Sequence, residues 1–514
     1  MSDQPAGTVQ RSLRELLASV VVFLVALPLC MGIAIASGVP PVMGLVSGII
    51  GGLVIGFIAG SPLQVSGPAA GLAVIVFEIV QTHGIEALGP IALVAGMLQF
   101  AAGRLKFGQW FRAVAPAVIY AMLAGIGILI FSSQFHVMVD DVPNSNGLTN
   151  FLTIPWAIWK GVSPVEGTPH HLAAGVGLLT LVVLVSWNWL RTKLPGALAV
   201  LPAPLLAVGA GVAVAAGFNL PIAYVDMPDG VSNLFMFPTL DGMSMLLNPA
   251  VLGSAVALAA IASAESLLCA MATDKLHDGV RSDLDKELSA QGVGNMVAGL
   301  IGGLPVTGVI VRSTANIQSG ATTRWSAVLH GGWLLIAVAA VPFLLEKVPV
   351  ASLAAILVYI GFKLVNREVP KKLLARGKGE LAIYLVTVFA IVATNLLSGL
   401  IIGFVLSVAK MAWGFSHIDI EVTPSGDRLD VDMHGSATFM SLPALARQLE
   451  ALPEGKEVHL HLEHLGHVDH ACFELIADWR KNYEGANGTV VMELSELHLR
   501  GATPRENREE QLAS

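Results

Sequence analysis

Residues 302–320 read GGLPVTGVIVRSTANIQSG. The run is apolar, broken by glycine and proline, and carries one full charge at Arg312. A guanidinium at the bilayer centre costs roughly 2.5–3.5 kcal/mol on insertion scales, so an intramembrane arginine is a functional candidate by default. The surroundings are those of a membrane chain: 54% of its 514 residues are hydrophobic and 13% charged. A soluble protein carries about 25% charged residues. Apolar runs recur from residue 12 to residue 414, the signature of a polytopic helical membrane protein. The net charge of −8 and the lack of a basic patch argue against nucleic acid as a partner. Cys30, Cys269 and Cys472 are too far apart in sequence for a metal or disulfide motif. With no nucleophile–base pair and no closed metal site in the sequence, neither an enzyme nor a cofactor is expected.

Working outward, apolar segments fall near 12–37, 42–60, 68–82, 88–103, 113–134, 172–191, 197–217, 249–273, 288–303, 307–319, 325–345, 350–366, 380–397 and 399–414. The first reads as a retained span, since no small-residue cleavage site ends it. Hydropathy alone leaves about ten to fourteen spans open, because 68–82 and 307–319 are too short to cross by themselves. Lysine and arginine placement narrows the count. Arg104, Lys106 and Arg112, then Arg191 and Lys193, then Lys275, Arg281 and Lys286 occupy alternate loops, as do Arg324 and the run Lys363–Lys378. The loops 135–171 and 218–248 carry acids, with Lys160 as their lysine. This obeys the positive-inside rule if both short segments reverse the chain like full spans, which gives fourteen spans with both ends cytoplasmic.

The two short segments are entered alike, through SPLQVSGPAAG and through GGLPVTGVIVRS, at matching offsets from residues 12 and 249. Paired, interrupted segments in corresponding places point to a binding site between inverted repeats, here about 12–217 and 249–414. Inversion makes the N-termini of helices 3 and 10 face one another near the midplane. Each brings roughly half a positive charge and unpaired N–H donors, an anion site built from backbone. Arg312, about a turn into helix 10, either adds to this positive field or snorkels to the cytoplasmic face or neutralises an acid. Glu265, in IASAESLLCAMATD, either carries a coupling proton or pairs with Arg312. Glu78 reads as interfacial.

After Trp413 the composition changes. Alternating RLDVDMHG, KEVHLHLEHL and TVVMELSEL flank the helix-like SLPALARQLEAL and HACFELIADWRKNYEG, giving a small α/β domain over residues 415–500. A polar tail, 501–514, follows. Asp469 reads as a helix N-cap. His459, His461, His464, His467 and His470 lack tetrahedral ligand spacing and read as a solvated surface, so no metal is expected.

These stretches resemble the sulfate permease (SulP) family of anion transporters, whose animal members include prestin and pendrin. The likeness runs through IASGVPPVMGLVSGIIGGL, GSPLQVSGPAAG, SAESLL and KELSAQGVGNMVAGLIGGLPVTGVIVRSTANIQSGATT. It implies an α-helical fold of fourteen spans as a seven-plus-seven inverted repeat with core and gate domains. A homodimer in lipid and a cytoplasmic C-terminal STAS domain are implied too. The implied substrate site is Ala69, Ala70 and Gly71 on helix 3, Val309, Ile310 and Val311 on helix 10, and Leu29 and Cys30 on helix 1. Many members have glutamine where Leu29 stands. The implied activity is secondary active transport, by elevator-like movement, of a small anion: bicarbonate, sulfate or a dicarboxylate. An anion exchanger, a channel and a sodium-coupled bicarbonate transporter are the alternatives. Bicarbonate members that use sodium have hydroxyl groups where Cys269 and Ile310 stand here, and soft or aliphatic groups serve sodium poorly. A proton on Glu265 is therefore expected in its place. The serine that other STAS domains phosphorylate after an aspartate is replaced by His470. The implied location is the plasma (inner) membrane.

Overall fold

Long apolar runs, interrupted where proline, glycine or a polar cap ends the helical ladder, fold into helices, of which fourteen among the described residues make up the two halves. The computed structural model describes residues 8–109, 115–144, 146–163, 168–190, 193, 201–227, 235–416, 418–426, 428–462 and 465–493. The polar tail, Arg112, Arg191 and His464 lie outside the described residues. The first half comprises α1 (Thr8–Ala36), α2 (Pro41–Ile58), α3 (Ala70–His83), α4 (Leu88–Arg104), α5 (Pro116–Met138), α6 (His170–Leu190) and α7 (Ala203–Gly217). The second comprises α8 (Pro249–Thr273), α9 (Leu284–Ile301), α10 (Ile310–Gln318), α11 (Trp325–Ala340), α12 (Val350–Leu364), α13 (Lys378–Ala393) and α14 (Leu396–Ser416). Among the described residues, 8 helices are long and apolar enough to cross a membrane.

Local chemistry sets the ends. α9 begins four residues before its apolar run, because the Asp283 side chain accepts from the Lys286 N–H at 3.0 Å. α11 stops at Ala340, and Pro342 opens a separate short helix, so the expected 325–345 is two pieces. Pro28 inside α1 cannot donate to the Leu24 carbonyl, which loosens the helical ladder just before Leu29 and Cys30. A π-helical turn over Gly51–Ile55 interrupts α2.

The inverted repeat is explicit at its centre. Strand β1 (Ser66–Pro68) leads into α3 and strand β2 (Val306–Gly308) leads into α10. They pair antiparallel, Ser66 with Gly308, Gly67 with Thr307 and Pro68 with Val306. Each β2 residue stands 240 positions beyond its β1 counterpart (306 against 66), so exchanging the halves maps this pairing onto itself. The pseudo-twofold axis passes between Gly67 and Thr307. Helices whose backbone leaves the ladder at mid-depth survive in a membrane only where protein buries the freed groups, and the β1–β2 pairing does so.

The chain divides into two compact units, residues 1–403 and 404–514, the division falling within α14. The second unit holds β3 (Ile418–Ser425), β4 (Arg428–Ala437), α15 (Leu442–Glu450), β5 (Glu457–His461), β6 (Leu465–Val468), α16 (His470–Gly485) and β7 (Thr489–Glu493). β3 pairs antiparallel with β4, while β5 and β6 run parallel to β4 and β7 parallel to β5. The alternation read from sequence accounts for β4, β5 and β7. It missed β3 and β6. β3 is exposed along most of its length and so lacks a clear apolar alternation, and β6 has only four residues. Val431, Met433, Leu445, Val458, Leu460 and Ile476 form the core of this unit.

Candidate functional site

Ala69 and Val309 are the N-cap residues of α3 and α10, with φ of −116° and −115°, and neither helix has a side-chain cap. The first-turn amides of both helices therefore gather at the crossing with few internal partners. Apolar, small residues around them allow the two backbones to approach: Ala69 is buried, as are Gly71 and Leu72.

Arg312, one turn into α10, is 0% exposed. Its side chain turns back onto β1, where Nη2 donates to the Pro68 carbonyl at 3.4 Å. A β-carbon on Gly67 would overlap Nη1, so the absence of a side chain there makes room for the guanidinium. Nε and Nη1 have no hydrogen-bond partner. The snorkelling alternative is thereby excluded: the charge stays in the protein interior. The Cys30 side chain of α1 is also fully buried and lies beside this guanidinium.

Glu265, near the middle of α8, reaches the other end of the same junction. A β-carbon on Gly71 would overlap its carboxylate, which faces the Gly71 amide in the first turn of α3. Its Oε2 is buried without a partner. The expected alternative of an Arg312–Glu265 ion pair does not occur, because each side chain is directed to a different part of the β1–α3 junction. Glu78 is exposed on α3.

A cavity of about 410 Å³ adjoins the crossing. It is lined by Leu29 of α1, Ile310, Val311 and Thr314 of α10, Asn188 of α6 and Lys363 of α12, among others. Thus Leu29, Ile310 and Val311 reach the cavity, and Ile310 and Val311 are 37% and 43% exposed. Cys30, Ala69 and Arg312 are buried behind it, and Val309 is half-buried. The structure brings all nine expected substrate-site residues and Glu265 to one locality, but Arg312 does not line the cavity wall.

Sequence reasoning missed the polar residues that hold this arrangement. Glu15 of α1 accepts from the N–H groups of Thr322, Thr323 and Ser326 at 2.8, 2.9 and 3.2 Å, tying α1 to the start of α11. Glu287, Gln291 and Asn295 of α9 contact β1, β2 or the loop before β1. Their regular spacing of four within KELSAQGVGN was the available signal.

In the second unit, Asp469 caps α16 as expected, accepting from the Cys472 N–H at 2.9 Å. His459 meets Glu457 at 2.8 Å, His461 meets Asp430 at 3.4 Å, and His470 meets Glu474 at 3.2 Å.

Paired broken helices meeting between inverted halves define a membrane transporter fold. The comparisons agree with that class and narrow it. A model of the sulfate permease family matches residues 13–387. YvdB of Bacillus subtilis (strain 168) is 32% identical over 415 residues, covering 78% of this chain and 75% of YvdB. The chain belongs to the sulfate permease family of anion transporters. The bicarbonate transporter BicA of Synechocystis sp. (strain ATCC 27184 / PCC 6803 / Kazusa) is 23% identical over 534 residues, 96% of this chain and 92% of BicA. The solved anion transporter murine solute carrier 26 family member A9, in its inward-facing state, shares the fold. It superposes with a TM-score of 0.77 at 15% identity, over 98% of this chain and 88% of that one. The C-terminal sheet fits a STAS domain.

Proposed function

We propose that this protein is a secondary active transporter of a small anion (bicarbonate, sulfate or a dicarboxylate), binding it between the first turns of α3 and α10. The observation that carries this reading is the β1–β2 pairing. It presents two uncapped helix N-termini beside a buried guanidinium with two unpartnered nitrogens. Each terminus contributes roughly half a positive charge, and backbone amides can bind an anion without polar side chains. Ala69, Ala70, Gly71, Val309, Ile310 and Val311 then supply backbone, Leu29 and Cys30 close the site from α1, and Arg312 raises the potential.

Glu265 supplies the coupling. Its carboxylate stands at the Gly71 amide, where a substrate anion would also stand. The ionised form repels the anion and the protonated form admits it, so anion and proton travel together. Movement is elevator-like: the helices around the crossing carry the site past the gate helices, and the cavity beside Lys363 is the route on the cytoplasmic side. The protein sits in the plasma (inner) membrane as a multi-pass protein, and lysine and arginine placement supports cytoplasmic termini. It works as a homodimer in lipid.

The test is uptake of labelled bicarbonate, sulfate and fumarate into proteoliposomes, with pH and sodium gradients varied independently. Accumulation above equilibrium driven by an inward proton gradient is the expected result. Downhill conduction alone makes the protein a channel, obligatory counter-anion makes it an exchanger, and sodium dependence without pH dependence removes Glu265 from the coupling.

A further inference from the structure

The crossing is only as precise as whatever fixes the two strands, and one face of α9 shares this with α10, whose Ser313 Oγ accepts from the Val65 N–H and whose Asn316 Nδ2 donates to the Leu63 carbonyl. Glu287, Gln291 and Asn295 recur every four residues, so they lie on one stripe of the helix. All three are essentially fully buried. Asn295 grips β2 by both backbone groups of one residue: Oδ1 accepts from the Val306 N–H at 2.5 Å and Nδ2 donates to the Val306 carbonyl at 3.0 Å. The same Nδ2 donates to Gln99 Oε1 on α4 at 2.7 Å, which ties the grip to the neighbouring helix. One turn back, Gln291 Nε2 donates to Ser66 Oγ on β1 at 2.7 Å. Glu287 completes the stripe. Its Oε2 accepts from the Ser61 N–H at 2.9 Å, and its Oε1 accepts from Gln64 Nε2 at 2.8 Å and Gln291 Nε2 at 2.7 Å.

Three donors converging on one buried carboxyl suit an ionised carboxylate, which only accepts. Both glutamines give their N–H groups to it while their own Oε1 atoms stay unpartnered. The pseudo-symmetric counterpart is much weaker. The 240-residue offset places Ser47 opposite Glu287 and Leu304 opposite Gln64. There a single neutral bond serves, from Ser47 Oγ to the Leu304 carbonyl at 2.9 Å. Charge-assisted bonds are roughly twice as strong as neutral ones. The stronger device therefore sits on the arm feeding β1, the arm that must hold Gly67 against Arg312 and Gly71 against Glu265.

We propose that Glu287 is a positioning residue for anion binding: through Gln64, Ser61 and Gln291 it fixes residues 61–66, and so the register of β1 on β2. This rests on reading the crossing as the anion site. Glu287→Gln keeps the shape but places an amide N–H among three donors, so one of them must lose its acceptor. The paired variant Glu287→Gln/Gln64→Glu exchanges amide and carboxylate and restores a donor–acceptor match.

Two measurements separate this from a general stabilising role. The first needs no transport. In a background lacking Cys30, Cys269 and Cys472, Pro68→Cys and Val306→Cys occupy paired positions across the strands. Their oxidative cross-linking reports register directly. Glu287→Gln is expected to slow cross-linking about tenfold, and the exchanged pair to recover most of it. The second is reconstituted uptake of the anion that wild type carries. Glu287→Gln is expected to raise KM about tenfold, with Vmax per inserted protein changed much less, and the exchanged pair to lower KM again. Unchanged cross-linking overturns the proposal. So does unchanged KM when the variant merely yields less folded protein. If cross-linking follows the expectation while KM does not move, Glu287 sets the register but the crossing is not the anion site.

Discussion

Arg312 and Glu265 address opposite ends of one short junction: the guanidinium rests on Gly67 and the carboxylate on Gly71, and the two form no ion pair. The two side chains are thus kept apart by β1 and the first turn of α3. A direct pair would cancel the positive field at the helix ends.

Arg312→Gln is expected to insert and fold but to weaken anion affinity about tenfold or more, equivalent to about 1.4 kcal/mol. Arg312→Lys should be milder, because it keeps the charge and loses the planar donor set. KM measured beside the amount of inserted protein is the check. Wild-type KM in Arg312→Gln would leave the guanidinium with a packing role alone.

Glu265→Gln removes the titrating group at Gly71 and leaves a neutral side chain of the same size. Uptake should lose its acceleration by an inward proton gradient, while anion exchange at equal pH continues. A variant that still responds to the gradient like wild type places the proton elsewhere.

Gly67→Ala puts a β-carbon onto Arg312 Nη1, and β1 is held by its pairing with β2. Overpacking of this kind typically costs about 1–3 kcal/mol. The melting temperature in detergent should fall, and transport with it. Combining Gly67→Ala with Arg312→Ala removes the overlap, so the double variant should melt higher than Gly67→Ala alone without regaining transport. Simple additivity of the two changes would show that they do not meet.

Cys472 opens α16, a place where a helix terminus usually makes thiols acidic. Here burial, and then the neighbouring Asp469, push its pKa from 9.0 up to about 12. The thiol should resist maleimide at neutral pH until the C-terminal unit unfolds. Because the pKa is raised on folding, its contribution to stability is complete below pH 9.0 and is lost as pH rises toward about 12. Asp469→Asn should leave the thiol slow to react, since burial is the larger cause. Fast labelling of the folded chain would show that the site opens readily.

Sequence alone determined much of the architecture. Runs near twenty apolar residues can only be helices in lipid, because every backbone group there needs a partner within the segment. Two runs broken by glycine and proline at matching places stood out as short helices starting at mid-depth. Arg312 and Glu265 stood out for a similar reason, since charge in an apolar run is too costly to be incidental. Asp469 marks the start of α16 just as directly, standing immediately before a helical run and capping it.

Only the tertiary structure decided what those residues meet. A side chain's partners lie hundreds of positions away, and periodicity reports which face of a helix is apolar, not which neighbour covers it. Arg312 on Gly67, Glu265 on Gly71 and Asn295 on Val306 arise from packing α8, α9 and α10 around a strand pair of three residues each. Glu287 shows the same limit most plainly. In sequence it is one more charge in a cytoplasm-side loop beside Lys286; in the fold it is 0% exposed and satisfied by three donors, two of them more than two hundred residues earlier in the chain. Whether a carboxylate is solvated or ties buried segments together depends on where the chain brings its donors, and that is a property of the packed structure.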